Sequence, residues 1–211
     1  MVKVITFLGN ASFTCVLDTD LVLVDDAYNY FFPNEVCPTL QYHGDVVHVN
    51  SGIAKGGDER MNRRKRIAYM LSKALDYMQG DDYFIVHDSD VYVPRDIATP
   101  NGFSTITVPV LNKDYRITST SHLYLYVIPW KYGTNYVVPH TDVERFRQVL
   151  AGYNPSQPVD VYLSVRLIKH VVADRRVVHY KLLCNNDVNT LYDVSDTCVD
   201  PQVIRLRLGP P

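Results

Sequence analysis

Glutamate is scarce in this 211-residue chain, with three residues against twenty aspartates, and tryptophan occurs once. No apolar run reaches the roughly 18 residues that a membrane-crossing helix needs, so no such helix is expected. Residues 1–10 read as a strand. They lack the basic start, long apolar middle and small-residue cleavage site of a secretion signal, so a cytoplasmic protein is expected. Asn10-Ala11-Ser12, formally a glycosylation sequon, is set aside for that reason. The four cysteines, Cys15, Cys37, Cys184 and Cys198, form no Cys-x-x-Cys pair, which argues against a zinc site. Four buried thiols are the simpler expectation, with a Cys184–Cys198 bridge as the alternative. The net charge of −2 gives no overall basic field, so no nucleic-acid partner is expected. Internal repeats, low-complexity stretches and linkers are also missing, which leaves one domain.

What is present suits a folded globular domain: 46% apolar and 21% charged residues, with length enough for a full core. Val2–Leu8 is an apolar run of strand length. Phe13–Leu17 and Leu21–Val24 read as two short strands joined by a turn at Asp18-Thr19-Asp20, and Val46–Val49 as another strand. A helix is expected over Asp58–Gln79, where Ile67, Leu71, Ala74 and Met78 recur at helical spacing and Gly80 supplies a stop. Tyr83–Val86 is a continuous apolar strand, as in the middle of a parallel sheet. Phe103–Leu111 and Tyr115–Val127 read as strands. A helix opens at the capping box Thr141-Asp142-Val143-Glu144 and stops at Gly152. A third helix spans Gln157–Lys169, followed by strands at Arg176–Lys181 and Val203–Leu208. Strand–helix alternation predicts an α/β fold around a mixed, mostly parallel sheet, with ligands beyond the carboxyl ends of the strands.

One constellation carries chemistry. Tyr83-Phe84-Ile85-Val86 runs into His87-Asp88-Ser89-Asp90. Two carboxylates one residue apart at a strand end suit a divalent cation that bridges a diphosphate. Chance alone gives about two Asp-x-Asp triplets at this aspartate content. The other one, Asp18-Thr19-Asp20, falls at the expected turn; only Asp88-Ser89-Asp90 follows a buried strand and a long helix.

In that setting residues 21–94 resemble the nucleotide-binding half of GT-A glycosyltransferases, above all the inverting family that includes cellulose- and chitin-synthase relatives. Leu23-Val24-Asp25-Asp26 is similar to the family's strand ending in paired aspartates. Asn50-Ser51-Gly52-Ile53-Ala54 is similar to its Asn-x-Gly turn, and an Arg-rich helix start and the Asp-x-Asp follow in order. Further on, Pro158–Leu167 resembles the family's Glu-Asp-x-x-Leu-x-x-Arg-Leu segment, with Val159 where the family has Glu. Val177-Val178-His179 resembles the stretch carrying its late histidine. The resemblance covers residues 1–181. It departs from the family between the first two strands, where Gly9–Asp20 leaves little room for a helix.

The resemblance implies a single GT-A domain, Rossmann-like, divided into a nucleotide-binding half (1–95), a reduced acceptor half (96–181) and a tail (182–211). It implies a nucleotide-sugar donor, a glycan or protein acceptor, and Mn²⁺ or Mg²⁺ held by Asp88, Asp90 and His179. Asp25 or Asp26, Asn50, Arg60, Arg64 and Asp88 would bind the nucleotide-sugar, and Asp160 would act as the base of an inverting transfer.

Each residue also has a plainer reading. Asp25 and Asp26 suit a turn or cap, and Arg60 to Arg66 suit a solvated helix face. His87 suits a core position, and His179 a satisfied core histidine. Asp160 suits a helix cap, with Asp142 as its rival for the base, and Trp130 suits packing instead of sugar stacking. Two other functions fit the same carboxylates: nucleotidyl transfer, and nucleotide binding without turnover.

Overall fold

The structure, a computed structural model, describes residues 1–8, 14–27, 39–53, 57–88, 91–107, 134–174 and 176–179. The expected strands Tyr115–Val127 and Val203–Leu208, Trp130, Ser89 and Asp90, and Cys37, Cys184 and Cys198 lie outside these residues. In chain order the elements are β1 (Val2–Leu8), β2 (Thr14–Asp25), β3 (Thr39–Val49), α1 (Glu59–Leu75), β4 (Tyr83–Asp88) and β5 (Val91–Tyr92). They continue with β6 (Ser104–Thr107), β7 (Tyr136–Pro139), a 3-10 turn (His140–Asp142), α2 (Val143–Ala151), α3 (Val159–Leu167), β8 (His170–Ala173) and β9 (Val178–His179).

Seven strands form one sheet in the order β3-β2-β1-β4-β7-β6-β8, and β5 pairs with β9 in a separate ribbon. Strands β3, β2, β1 and β4 are mutually parallel, as are β6 and β8; β7 runs antiparallel to both its neighbours. The fold is therefore α/β with a mostly parallel mixed sheet, as expected. Alternation along each strand separates two cores. Ile5, Phe84, Val86, Tyr136 and Val138 face α1, α2 and α3 together with Met70, Leu71, Leu75, Phe146 and Leu163. Val4, Ile85 and Val137 face the other way, against Val91, Val93, Ile97, Ile106 and Val172. Among the described residues no helix is long and apolar enough to cross a membrane.

The structure differs from the sequence reading in several places. Asp18–Asp20 is no turn, because β2 is continuous and only its register against β3 slips between Asp18 and Leu21. The Asp20 carboxylate works across the sheet instead, accepting from Val4 N at 2.7 Å and from Arg95 at 2.8 and 3.0 Å. Opposite the slip, Gly44 sits at φ 115°, where a Cβ would lie 2.4 Å from Thr19 O. A glycine there lets the two backbones close up.

The first helix ends four residues early, at Leu75, in a tightened turn with Tyr77 N bonded to Ala74 O. The capping box does not form. Asp142 accepts from Phe103 N at 2.7 Å and from Lys169 Nζ at 3.2 Å, and Glu144 pairs with Gln148. The third helix is shorter than expected, starting at Val159 after the N-cap Pro158. Strands β5, β7 and β8 were not anticipated.

Candidate active site

The parallel strands bring their carboxyl ends to one edge. Asp25 closes β2, Asn50-Ser51-Gly52 follows β3, and Asp88 closes β4. β1 lies between β2 and β4, so the chain leaves it in opposite directions at this edge, the position where open α/β sheets form a ligand crevice.

The two aspartates after β2 have different surroundings. Asp25 is buried, and its carboxylate accepts from Ser51 N at 3.0 Å, Ser51 Oγ at 2.8 Å and Ala27 N at 3.1 Å. Arg66 Nε approaches it to 3.5 Å, also buried. Asp26 is exposed, with His48 Nδ1 2.7 Å from its Oδ1. The Asn50 side chain accepts from Gly52 N at 2.8 Å. Gly52 has φ 66°, a backbone shape that favours glycine, and this makes the tight Asn-x-Gly turn.

The basic run of α1 divides in the same way. Arg66 goes to Asp25, and the Arg64 guanidinium donates to Pro155 O at 3.1 Å and Ser156 O at 2.9 Å, tying α1 to the loop before α3. Arg60 and Arg63 are exposed.

Asp88 is half-buried. Its carboxylate accepts from Thr134 N at 3.2 Å and from Thr134 Oγ1, and its N–H donates to Asn135 Oδ1 at 2.9 Å. His87 is buried, its Nδ1 2.8 Å from Asp88 O, as a core histidine would be. Among the described residues no three His, Cys, Asp or Glu side chains cluster as a metal site. The donor set named from the sequence, Asp88, Asp90 and His179, suits a hard cation by its chemistry, with Asp90 outside the described residues. β5 and β9 pair Val91 with His179, so the residue after Asp90 lies directly across the ribbon from the late histidine. Aspartate oxygens and an imidazole nitrogen form a donor set suited to Mn²⁺ or Mg²⁺.

Asp160 lies in the first turn of α3, half-buried. Burial holds its carboxyl above the usual aspartate range, and the Asp88 charge adds to this; the helix-start N–H of Val161 and the Arg63 charge oppose them. Tyr136 opens β7 and is fully buried. Burial first, then the charges of Asp160 and Asp88, push its hydroxyl well above the ordinary tyrosine value. Asp88, Asp160 and Tyr136 thus share one electrostatic neighbourhood. Thr134, Asn135 and Tyr136 had no signal in the sequence beyond a short apolar run, Tyr136-Val137-Val138-Pro139.

No family model matches the chain, and no curated protein matches it. Among solved structures it is similar to a glycosyltransferase involved in the glycosylation of the major capsid of PBCV-1. The identity is 14% and the TM-score 0.32, over 76% of this chain and 81% of that one. At that distance, fold and function rest on the geometry above.

Proposed function

We propose that the chain is a divalent-metal-dependent glycosyltransferase of GT-A type, moving a sugar from a nucleotide-sugar to an acceptor hydroxyl with inversion. The observation that carries this reading is the gathering of Asp25, the Asn50-Ser51-Gly52 turn and Asp88 at the carboxyl edge of the parallel strands β2, β3 and β4.

In this reading Asp26 and Asn50, the exposed groups after β2 and β3, hold the nucleoside. Asp25 supports them from beneath through Ser51 and Arg66. Arg60, exposed at the start of α1, offers a cation to the diphosphate, whereas Arg64 spends its guanidinium on loop carbonyls. Asp88, Asp90 and His179 hold the cation. When bound, it offsets the negative charge that develops on the departing diphosphate. Asp160 takes the proton of the acceptor hydroxyl while that oxygen bonds to the sugar's anomeric carbon. The carbon–oxygen bond to the diphosphate breaks in the same displacement, leaving a nucleoside diphosphate. A carboxylate whose pKa is raised, here chiefly by burial, is a better proton acceptor than an exposed one. The acceptor is a glycan or protein hydroxyl.

One observation favours a second reading. Val159, where the resembled family carries Glu, is 2% exposed in the helix-side core. A domain that binds nucleotide-sugars without transferring them fits that replacement. Incubation with UDP- and GDP-linked sugars and Mn²⁺, following release of nucleoside diphosphate, separates the two. Release that depends on Mn²⁺ and on Asp160 supports transfer; binding without release from any donor supports the non-catalytic module.

A further inference from the structure

Among the described residues, the Tyr136 hydroxyl on the helix-side face of the sheet is a buried polar atom that the fold does not use. Tyr136 pairs with Val86 of β4 and Thr105 of β6. Its ring packs against Phe103 and Phe146, with centroids 5.0 and 6.3 Å away. The side chain is wholly buried, and its hydroxyl has no hydrogen-bond partner among the described residues. Such a group costs stability that a phenylalanine, filling the same space, would not.

Position gives the hydroxyl a use. Two residues beyond Val86 on β4 is Asp88, and two residues before Tyr136 is Thr134, which donates to that same carboxylate. Alternation places Asp88 and Tyr136 on one side of the sheet, the side α3 covers with Asp160 in its first turn. Burial first, and the charges of Asp160 and Asp88 after it, favour the protonated hydroxyl, so it remains an O–H donor.

We infer that Tyr136 is a sugar-recognition residue. Its O–H donates to a hydroxyl oxygen of the sugar that the nucleotide carries, on the side of the sheet that holds Asp88. The inference rests on the glycosyltransferase reading and adds to it a specificity-determining group that neither the motifs nor the resemblance supplies. Asp25, also buried at this edge, has its partners within the fold.

The test is Tyr136→Phe, which keeps the ring and removes only the hydroxyl. Melting temperature is measured without ligand, and affinities for UDP, UDP-glucose, GDP and GDP-mannose are measured by calorimetry with Mn²⁺. The variant should melt at or above the wild-type temperature and bind UDP and GDP within about twofold of wild type. For whichever sugar nucleotide the wild type prefers, the gain in affinity over its bare diphosphate should fall about tenfold, as expected for one lost hydrogen bond. An unchanged gain overturns the proposal, and so does a variant that melts several degrees lower, because the hydroxyl would then serve the fold. A wild type that binds no nucleotide with Mn²⁺ removes the glycosyltransferase reading itself, an outcome distinct from a variant that keeps its sugar preference.

Discussion

Arg66 Nε lies 3.5 Å from the Asp25 carboxylate, with both side chains almost wholly out of solvent. This pair joins the end of β2 to the middle of α1, beneath the edge where the candidate ligand groups gather. Asp25 adds two bonds from Ser51, so the same carboxylate also fixes the turn after β3.

The paired aspartates should therefore separate in experiment. Asp25→Asn leaves a buried guanidinium without its counter-charge, and breaking such a pair costs about 3 kcal/mol or more. Its urea midpoint should fall by over about 1 M, given a slope of about 2 kcal/mol/M. Asp26→Ala, at an exposed position, should stay within about 0.5 kcal/mol of wild type while weakening nucleotide binding. Equal stabilities for the two variants would contradict this division.

Asp160 should cost stability where it works. Its folded-state pKa is raised, chiefly by burial, so the native state holds this proton more tightly than the unfolded chain. That contribution is fully present below the unfolded value, about 4, and is lost as pH rises through the folded value. Asp160→Asn removes the charge, so its melting temperature should exceed wild type at pH 7 and converge with it below about pH 4. Transfer by the wild type should rise along an acid limb displaced above that of an ordinary aspartate, and the Asn variant should lose at least about tenfold in rate. A variant less stable than wild type at pH 7 would show that the carboxylate serves as a cap.

Arg64 should act through the loop and not through the diphosphate. Its two bonds to Pro155 O and Ser156 O hold the segment that leads into α3. Arg64→Ala should cost about 1–2 kcal/mol, in line with charged hydrogen bonds at a partly exposed site, and should lower transfer by misplacing Asp160. Nucleoside diphosphate affinity should remain within about threefold. A larger loss, with stability intact, would return Arg64 to the ligand.

Hydrophobic period and strand-end position made much of this legible in the sequence. The runs of β1 and β4 and the helical repeat of Ile67, Leu71 and Ala74 placed the sheet and α1, and thereby the strand-end position of Asp88; the helix expected over Gln157–Lys169 placed Asp160. The partition within clusters was not legible. Adjacent residues such as Asp25 and Asp26, or Arg64 and Arg66, read alike in sequence but differ in burial and partner. The capping box Thr141-Asp142-Val143-Glu144 misled because local spacing cannot show Phe103 N, thirty-nine residues away, donating to the Asp142 carboxylate. β7 escaped because four buried residues show neither period, and with it went Tyr136 and its neighbour Thr134.

The most direct test of the central claim is a thermal-shift comparison of wild type and Asp90→Ala with UDP, GDP and their sugar conjugates, with and without Mn²⁺. Stabilisation of the wild type by at least one nucleotide only when Mn²⁺ is present, abolished in Asp90→Ala, is the predicted result. Equal shifts in both proteins, or nucleotide shifts indifferent to Mn²⁺, would contradict a metal-dependent site at Asp88-Ser89-Asp90.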